Sequence, residues 1–416
     1  MPRRALRVAL IGGGGGAFIA RPHQKAIHMD GTRRVVCAAL HPDPEVAMAE
    51  AARWPYPIEG YPSYDALVEE QARLPKGQRV DYAVIVTPNA VHFDPAMKLV
   101  RAGIPVLCEK PLGVSVGEAE ALVREVERRR VPFGIAHTYL GHWSSWFSRW
   151  VVRSGKLGAV RWADASYLQG WVARRAAAGA DFSKVWRTRP EVAGPSCCGG
   201  DIGTHAFMQL RFVTGLEVVA LRAMLEAFCI TSGLDDHFTT YCELSNGGRA
   251  LVRASQIAIG HKNDLRLEVV CEEGTLAWRQ EEAEKVTIHT LDGSEHTYWR
   301  GALPERDRLL GAIPKWLRVE ATIPAGHPEG FHDAYARLHR SFEADVRRYN
   351  TARPFRCDGS RYANVRDGLA HMRFVEAAAA SSKRGGKRLV LRGGASRPAK
   401  PISAGGRRRA LCRREL

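Results

Sequence analysis

Arg7-Val8-Ala9-Leu10-Ile11-Gly12-Gly13-Gly14-Gly15-Gly16-Ala17 is an apolar, β-type run that breaks into five glycines and leads into a helical segment. The stretch satisfies the spacing Gly12-x-Gly14-x-x-Ala17. The first glycine permits a tight turn, the second lets backbone N–H groups approach a pyrophosphate, and the small Ala17 lets the helix pack close to the strand. A glycine run meets such spacing cheaply, so its weight comes from its position at the end of the first strand of a strand-helix-strand pattern.

That pattern continues. Apolar runs at Arg7 to Gly12, Arg34 to Leu40, Asp81 to Thr87 and Ile104 to Glu109 alternate with amphipathic stretches at Pro44 to Arg53, Val91 to Ala102 and Val116 to Arg130. Strand and helix in alternation imply parallel pairing through right-handed crossovers, a doubly wound Rossmann sheet over residues 1–140. Beyond about Gly141 the periodicity changes. Val160 to Leu168, Thr239 to Leu244, Ala250 to Ile259 and Leu265 to Cys271 alternate with period two or run continuously apolar, joined by turns such as Asn246-Gly247-Gly248. With helices at Asp201 to Thr214, Phe331 to Tyr349 and Tyr362 to Ala380, residues 141–380 are expected to form an α+β domain on a large, mostly antiparallel sheet. Residues 280–330 read as irregular.

At 416 residues, 45% hydrophobic and 25% charged, the chain has the material for a large core, and no apolar stretch is long enough for a membrane span. Nine cysteines without a CxxC spacing point to reduced thiols and a cytoplasmic protein. Arg3-Arg4 before an apolar run imitates a secretory signal, but the five glycines would break its helix. Of the net charge of +17, residues 380–416 carry +11, from twelve Lys or Arg and one Glu. The excess therefore belongs to a basic, glycine-rich tail, expected to be disordered over 381–416, rather than to a folded reader of nucleic acid.

The chemical candidates gather at strand ends. Lys110, in Glu109-Lys110-Pro111, closes an apolar strand where an open α/β sheet collects its ligands. Thr87-Pro88-Asn89, with His92 three residues on, ends another strand and suits either a nicotinamide ribose or a helix cap. Where a dinucleotide site usually carries an acidic residue, the second strand ends in Leu40-His41-Pro42-Asp43, which leaves NAD and NADP open and leans towards NADP or dual use. Asp201 and His205, four apart, share one helix face, so a carboxylate there can tune an imidazole for proton transfer. Adjacent Cys197 and Cys198 are awkward zinc ligands and no second cluster accompanies them, so no metal is expected. Tyr139, Gln169, Trp171, Trp186, Arg187, His261 and Asn263 supply the aromatic faces and hydrogen-bonding groups that suit a sugar.

Taken together, the glycine loop, Thr87-Pro88-Asn89 with His92, Glu109-Lys110-Pro111 and Gly200-Asp201-Ile202-Gly203-Thr204-His205 resemble the Gfo/Idh/MocA oxidoreductases over roughly residues 5–380. Gly326-His327-Pro328-Glu329-Gly330-Phe331 resembles a sugar-active branch of that family. The resemblance implies NAD or NADP as cofactor, held by Gly12, Gly14, Gly15, Gly16, Ala17, Phe18, His41, Thr87, Pro88, Asn89, His92, Glu109 and Lys110. It implies oxidation of a secondary hydroxyl of a sugar, cyclitol or related polyol, with Lys110, Asp201 and His205 as the catalytic set: His205 as acid and base, Lys110 polarising the substrate oxygen, Asp201 orienting. Thr204 would join the substrate contacts, and a homodimer or homotetramer is expected. Ala206-Phe207-Met208 departs from relatives that carry a second aspartate soon after the histidine, and Cys197-Cys198 replaces small residues. Two other readings share these motifs: an NAD-dependent glycosidase working by transient oxidation and elimination, and a dinucleotide-binding regulatory protein.

Overall fold

Six parallel strands, β1 (Leu6–Ile11), β2 (Arg33–Ala39), β3 (Glu59–Gly60), β4 (Tyr82–Ile85), β5 (Val106–Cys108) and β6 (Phe133–Ile135), form the first sheet of the computed structural model, in the order β6-β5-β4-β1-β2-β3. The structure describes residues 4–319, 323–351 and 361–391. Every residue of β4, β5 and β6 is buried. This follows from parallel pairing, since the crossover helices cover both faces and the strands must be apolar throughout. Ser63 and Ser115 cap two of these helices, accepting from Ala66 N–H and Glu118 N–H.

The second sheet has nine strands. Along it lie β7 (Val160–Leu168), β8 (Val218–Glu226), β9 (His237–Leu244), β10 (Arg249–Ser255), β11 (Asp264–Cys271), β12 (Gly274–Arg279), β13 (Lys285–Thr290) and β14 (Glu295–Trp299), in the order β14-β13-β12-β11-β7-β10-β9-β8, followed by Leu389–Val390. All neighbours are antiparallel except β7 and β10. Helices Trp143–Arg153, Thr204–Thr214 and Val365–Ser382 pack on one face.

Two expectations need correction. Residues 280–330 are not irregular throughout: Val286 and Ile288 on β13 and Tyr298 on β14 turn inwards and extend the sheet by two strands. Nor does the tail begin at 381. The Ser381 and Ser382 hydroxyls accept from Ala223 and Leu225 N–H, and Leu389–Val390 pairs with β8, so the chain stays bound to the sheet through residue 391. The remainder of the tail lies outside the described residues.

The chain also crosses back over the boundary expected at residue 140. Ala363–Asn364 adds an antiparallel edge to β6, and the helix Phe331–Thr351 packs against the helix Ala20–His28 that follows β1. There the fully buried Arg33 pairs with Glu343 and Asp30. At the start of this contact Gly141 lies so close to the Ala334 carbonyl that a Cβ would overlap it. Gly141→Ala should therefore destabilise the protein by about 2–3 kcal/mol through overpacking. Gly330→Ala, whose Cβ meets nothing, should change it little; urea unfolding of both variants compares them.

Candidate active site

The carboxyl ends of the first sheet face one end of the second across a cleft of about 500 Å³. Its walls come from both sides. Thr87 and Asn89 follow β4, Glu109 and Lys110 follow β5, and Thr138 and Tyr139 follow β6. Opposite them stand Tyr167 and Gln169 at the end of β7, Asn263 before β11, and Asp201, Ile202 and His205 on the helical segment that begins at Gly199.

That segment is wound unusually. Gly199–Gly203 forms a π-helical turn in which Thr204 N–H donates to Gly199 O, and Thr204–Thr214 continues as an α-helix. Such turns commonly mark functional sites. Its entry is fixed by the buried Asp235, whose carboxylate accepts from Cys197 and Gly199 N–H, while Gly200 N–H donates to Ser196 Oγ. Burial pushes Asp235 up to about 6.

Lys110 Nζ donates to the Asp201 carbonyl and to Asp201 Oδ1 at 2.9 Å. The other oxygen, Oδ2, accepts from Gln256 Nε2 at 2.9 Å and lies 3.6 Å from Arg187 Nε. Burial alone would raise the Asp201 pKa. The Lys110 and Arg187 cations outweigh it and hold the carboxyl well below the ordinary carboxylate range. Asp201 is thus spent on cations, and the group touching the His205 ring is a different one: His137, its Nδ1 3.4 Å from His205 Nδ1. Of the two groups Asp201 is expected to position, substrate or imidazole, the imidazole is not one that it touches. The nearby ammonium draws the carboxylate away. Burial, reinforced by Lys110, keeps His205 well below the ordinary imidazole pKa of 6.5.

Around this pair, Tyr139, Tyr167, Gln169 and Asn263 form a hydrogen-bonded floor. Tyr139 OH meets Tyr167 OH at 2.5 Å, Asn263 Nδ2 donates to Tyr139 OH at 2.9 Å, and Gln169 Nε2 donates to Asn263 Oδ1 at 2.7 Å. Trp171 and Trp186 stand at the rim, each facing an arginine: Arg175 at 5.6 Å and Arg187 at 4.4 Å from the ring centres.

The glycine loop fits a pyrophosphate. Gly12, Gly13, Gly15 and Gly16 all adopt positive φ, from +63° to +96°, which other residues rarely tolerate. A Cβ on Gly14 would stand 2.8 Å from Leu40 O, whereas Gly15 and Gly16 face open space. The close helix approach falls elsewhere than expected. The helix begins at Ala20, and a Cβ on Gly13 would collide with the Ala20 side chain, so Ala20 takes the role assigned to Ala17. The glycine run spends three further residues before helical winding begins, leaving Phe18 exposed at the cleft mouth.

Other expected contacts lie away from the cleft lining. His92 is buried, with Nδ1 2.6 Å from Pro111 O and Nε2 2.9 Å from Thr87 O, so it ties two strand-end loops together. Pro88 precedes it on the exposed side of that turn. Asn89 lines the cleft without capping a helix, because its amide donates to Ala193 O on the facing domain. Thr204 Oγ1 donates back to Gly200 O, and His261 pairs with Asp264. His41 Nδ1 accepts from Asp43 N–H, and Asp43 caps the next helix. Arg33, held by its carboxylates, and Arg34, lying over Tyr56, begin β2 at the end away from the cleft, so neither offers a cation beside His41. Among the described residues no group of three His, Cys, Asp or Glu side chains has the geometry to hold a metal. Missing from the sequence reading were His137, Tyr167, Gln256, Tyr335 and His371; Phe331 lay in a motif it had marked without assigning it to the site.

Residues 6–137 match the oxidoreductase family with an NAD-binding Rossmann fold, and residues 148–277 match the Gfo/Idh/MocA C-terminal domain. The chain belongs to the Gfo/Idh/MocA oxidoreductases. Among solved structures, this oxidoreductase is similar to an inositol dehydrogenase homolog from Azotobacter vinelandii complexed with NAD+, at 26% identity and TM-score 0.83 over 93% of this chain and 97% of that one. Among curated proteins it is similar to the uncharacterized oxidoreductase YfiI of Bacillus subtilis, 23% identical over 92% of this chain and 96% of YfiI. It is also similar to the levoglucosan dehydrogenase of Pseudarthrobacter phenanthrenivorans, 26% identical over 68% of this chain and 76% of that protein. No helix among the described residues is long and apolar enough to cross a membrane.

Burial lowers the pKa of His137, His142, His205, His339 and His371, so these rings stay neutral in the fold. The unfolded chain takes up protons at the same positions below about 6.5, and folding stability must fall with pH there. Asp235, raised to about 6, and Asp164, also raised by burial, work in the opposite sense but are outnumbered by the five rings. The unfolding free energy should drop by several kcal/mol between about pH 7.5 and about pH 5.5, on the order of 1.4 kcal/mol per histidine over that interval. Urea titrations at the two pH values measure it.

Proposed function

We propose that this oxidoreductase interconverts a secondary alcohol of a sugar, cyclitol or related polyol with the corresponding ketone, and that Lys110, Asp201 and His205 carry the reaction. The observation behind this reading is that Lys110 Nζ and the His205 imidazole, from different domains, open on the same cleft, with Lys110 fixed by Asp201. A cation beside a half-buried imidazole is the pairing that carbonyl-alcohol chemistry needs: one group stabilises charge on the oxygen and the other moves its proton. Asp201 acts as a positioning group for the ammonium. The aromatic rim of Trp171 and Trp186, above the polar floor of Gln169 and Asn263, suits a ring with apolar C–H faces and many hydroxyls. The substrate class is also supported by the levoglucosan dehydrogenase relative and by the Azotobacter homolog, which is known in complex with NADH and myo-inositol.

The backbone amides of Gly14 to Gly16 would hold the pyrophosphate, with Phe18, Thr87, Asn89 and Glu109 along the path to Lys110. When bound, the nicotinamide supplies the hydride acceptor or donor. Arg33 and Arg34 stand at the far end of β2, so neither awaits a 2′-phosphate; the NAD-binding family match and the NAD+ complex of the Azotobacter homolog support NAD as the preferred coenzyme, against the lean towards NADP. The outer face of the nine-stranded sheet leaves Met224 and Tyr241 exposed, which supports a homodimer or homotetramer.

Lys110→Ala and His205→Ala should each lower kcat by about 100-fold or more while the NAD dissociation constant stays unchanged; wild-type turnover in both would refute the assignment. A coenzyme-coupled screen of myo-inositol, levoglucosan and aldoses should show a higher kcat/KM with NAD than with NADP. Light scattering should return a mass of two or four chains.

A further inference from the structure

Behind His205 stand two more imidazoles and a backbone amide in series. His205 Nδ1 lies 3.4 Å from His137 Nδ1, His137 Nε2 lies 3.0 Å from His371 Nδ1, and Leu112 N–H donates to His371 Nε2 at 3.1 Å. The rings meet edge to face, at interplanar angles of 89° and 72°. His137 and His371 are buried, and all four hydrogen-bonding atoms of these two rings are occupied within the series.

An amide N–H can only donate, and that fixes the order. His371 accepts at Nε2, so in neutral form it carries its proton on Nδ1 and donates to His137 Nε2. His137 then carries its proton on Nδ1 and donates to His205 Nδ1. The proton of His205 is left on Nε2, the nitrogen on the far side of the ring from His137. An extra proton would leave two N–H groups facing each other at one link of the series, and on His371 Nε2 it would face the Leu112 N–H, so the amide disfavours protonation of the far end. Burial acts in the same sense, pushing His371 down to about 3.

We propose that His137 and His371 are positioning residues that hold His205 in its Nε2–H tautomer, so that the resting site presents a hydrogen-bond donor suited to a ketone oxygen. This rests on the role of His205 given above. Before His205 can accept a hydroxyl proton at Nε2, all three rings must reverse: His205 Nδ1–H donates to His137 Nδ1, His137 Nε2–H donates to His371 Nδ1, and His371 Nε2–H confronts Leu112. Two of these changes are hops along shared hydrogen bonds, from His371 Nδ1 to His137 Nε2 and from His137 Nδ1 to His205 Nδ1; the balance also needs the His205 Nε2 proton to leave into the cleft and one proton to reach His371 Nε2, where the buried Leu112 amide loses its acceptor. That loss opposes reversal by about ten-fold or more. The resting site is thereby biased towards the ketone-bound state.

The test is spectroscopic and uses the full chain. In protein labelled with 15N-histidine, long-range proton-nitrogen correlation separates the two neutral tautomers. Substitutions of single histidines assign the signals. The expected wild-type pattern is Nδ1–H at His371 and His137, the less populated form of free histidine, with Nε2–H at His205. In His371→Leu the His137 signal should change towards Nε2–H. In His371→Gln, whose amide can accept from Leu112 and donate to His137, the wild-type pattern should persist. Nε2–H at His137 in the wild type overturns the proposal, and that measurement decides even if the leucine variant does not fold. An unchanged His137 tautomer in a folded His371→Leu also overturns it. Turnover in His205→Ala would refute the catalytic reading separately, since the tautomer order is read without turnover.

Discussion

The ion pair between Lys110 and Asp201 is the constraint on which the site depends. It joins the end of β5 to the helical segment of the other domain, and both side chains are largely withdrawn from water, at 12% and 21% exposure. Burying two charges costs several kcal/mol per ion unless further partners complete the arrangement. Here Gln256, Arg187 and the Asp201 carbonyl complete it. The ammonium is thus held at one place in the cleft, and so is the π-helical turn that carries His205 across from it.

The same requirement explains why so many histidines crowd the seam. A second array runs behind the neighbouring Glu109: His23 Nε2 lies 3.0 Å from its carboxylate, His23 Nδ1 meets His339 Nε2 at 2.9 Å, and His339 Nδ1 meets Tyr82 OH at 3.0 Å. Tyr335 OH donates to the same carboxylate. A buried carboxylate and a half-buried imidazole each face the cleft with an ordered string of donors and acceptors behind them. Imidazole suits such strings because it accepts on one nitrogen while donating from the other, and low polarity around the string strengthens each link.

How far the sequence discloses all this depends on whether a residue's partner is local. The strands of the first sheet, the glycine loop and Lys110 are local signals, written in runs of apolar residues and the turns that end them. The spacing that sets Asp201 and His205 on one helix face was legible, but it does not make them partners. Their true partners were not legible: Asp201 answers Lys110, ninety-one positions away, and His205 is met by His137, whose own partner lies at 371. The Ala20 approach to Gly13 was misread because a glycine run carries no mark of where helical winding begins. Two-residue strands such as Ala363–Asn364 and Leu389–Val390 are too short for any periodicity, and they exist only because a sheet edge is there to receive them.

That last strand pairing has a consequence for biosynthesis. The first sheet is complete only when Ala363–Asn364 reaches β6 and the helix Phe331–Thr351 has covered Ala20–His28. A ribosome delivers the N-terminal strands long before it delivers those residues. In the interval the nascent Rossmann unit carries an open strand edge at β6, and Arg33 lacks its Glu343 partner. Domains generally fold in order of synthesis, and bare edges invite pairing with other chains. This chain's first-made domain is among its last to be finished, so its window of exposure to chaperones and to misassociation spans most of translation.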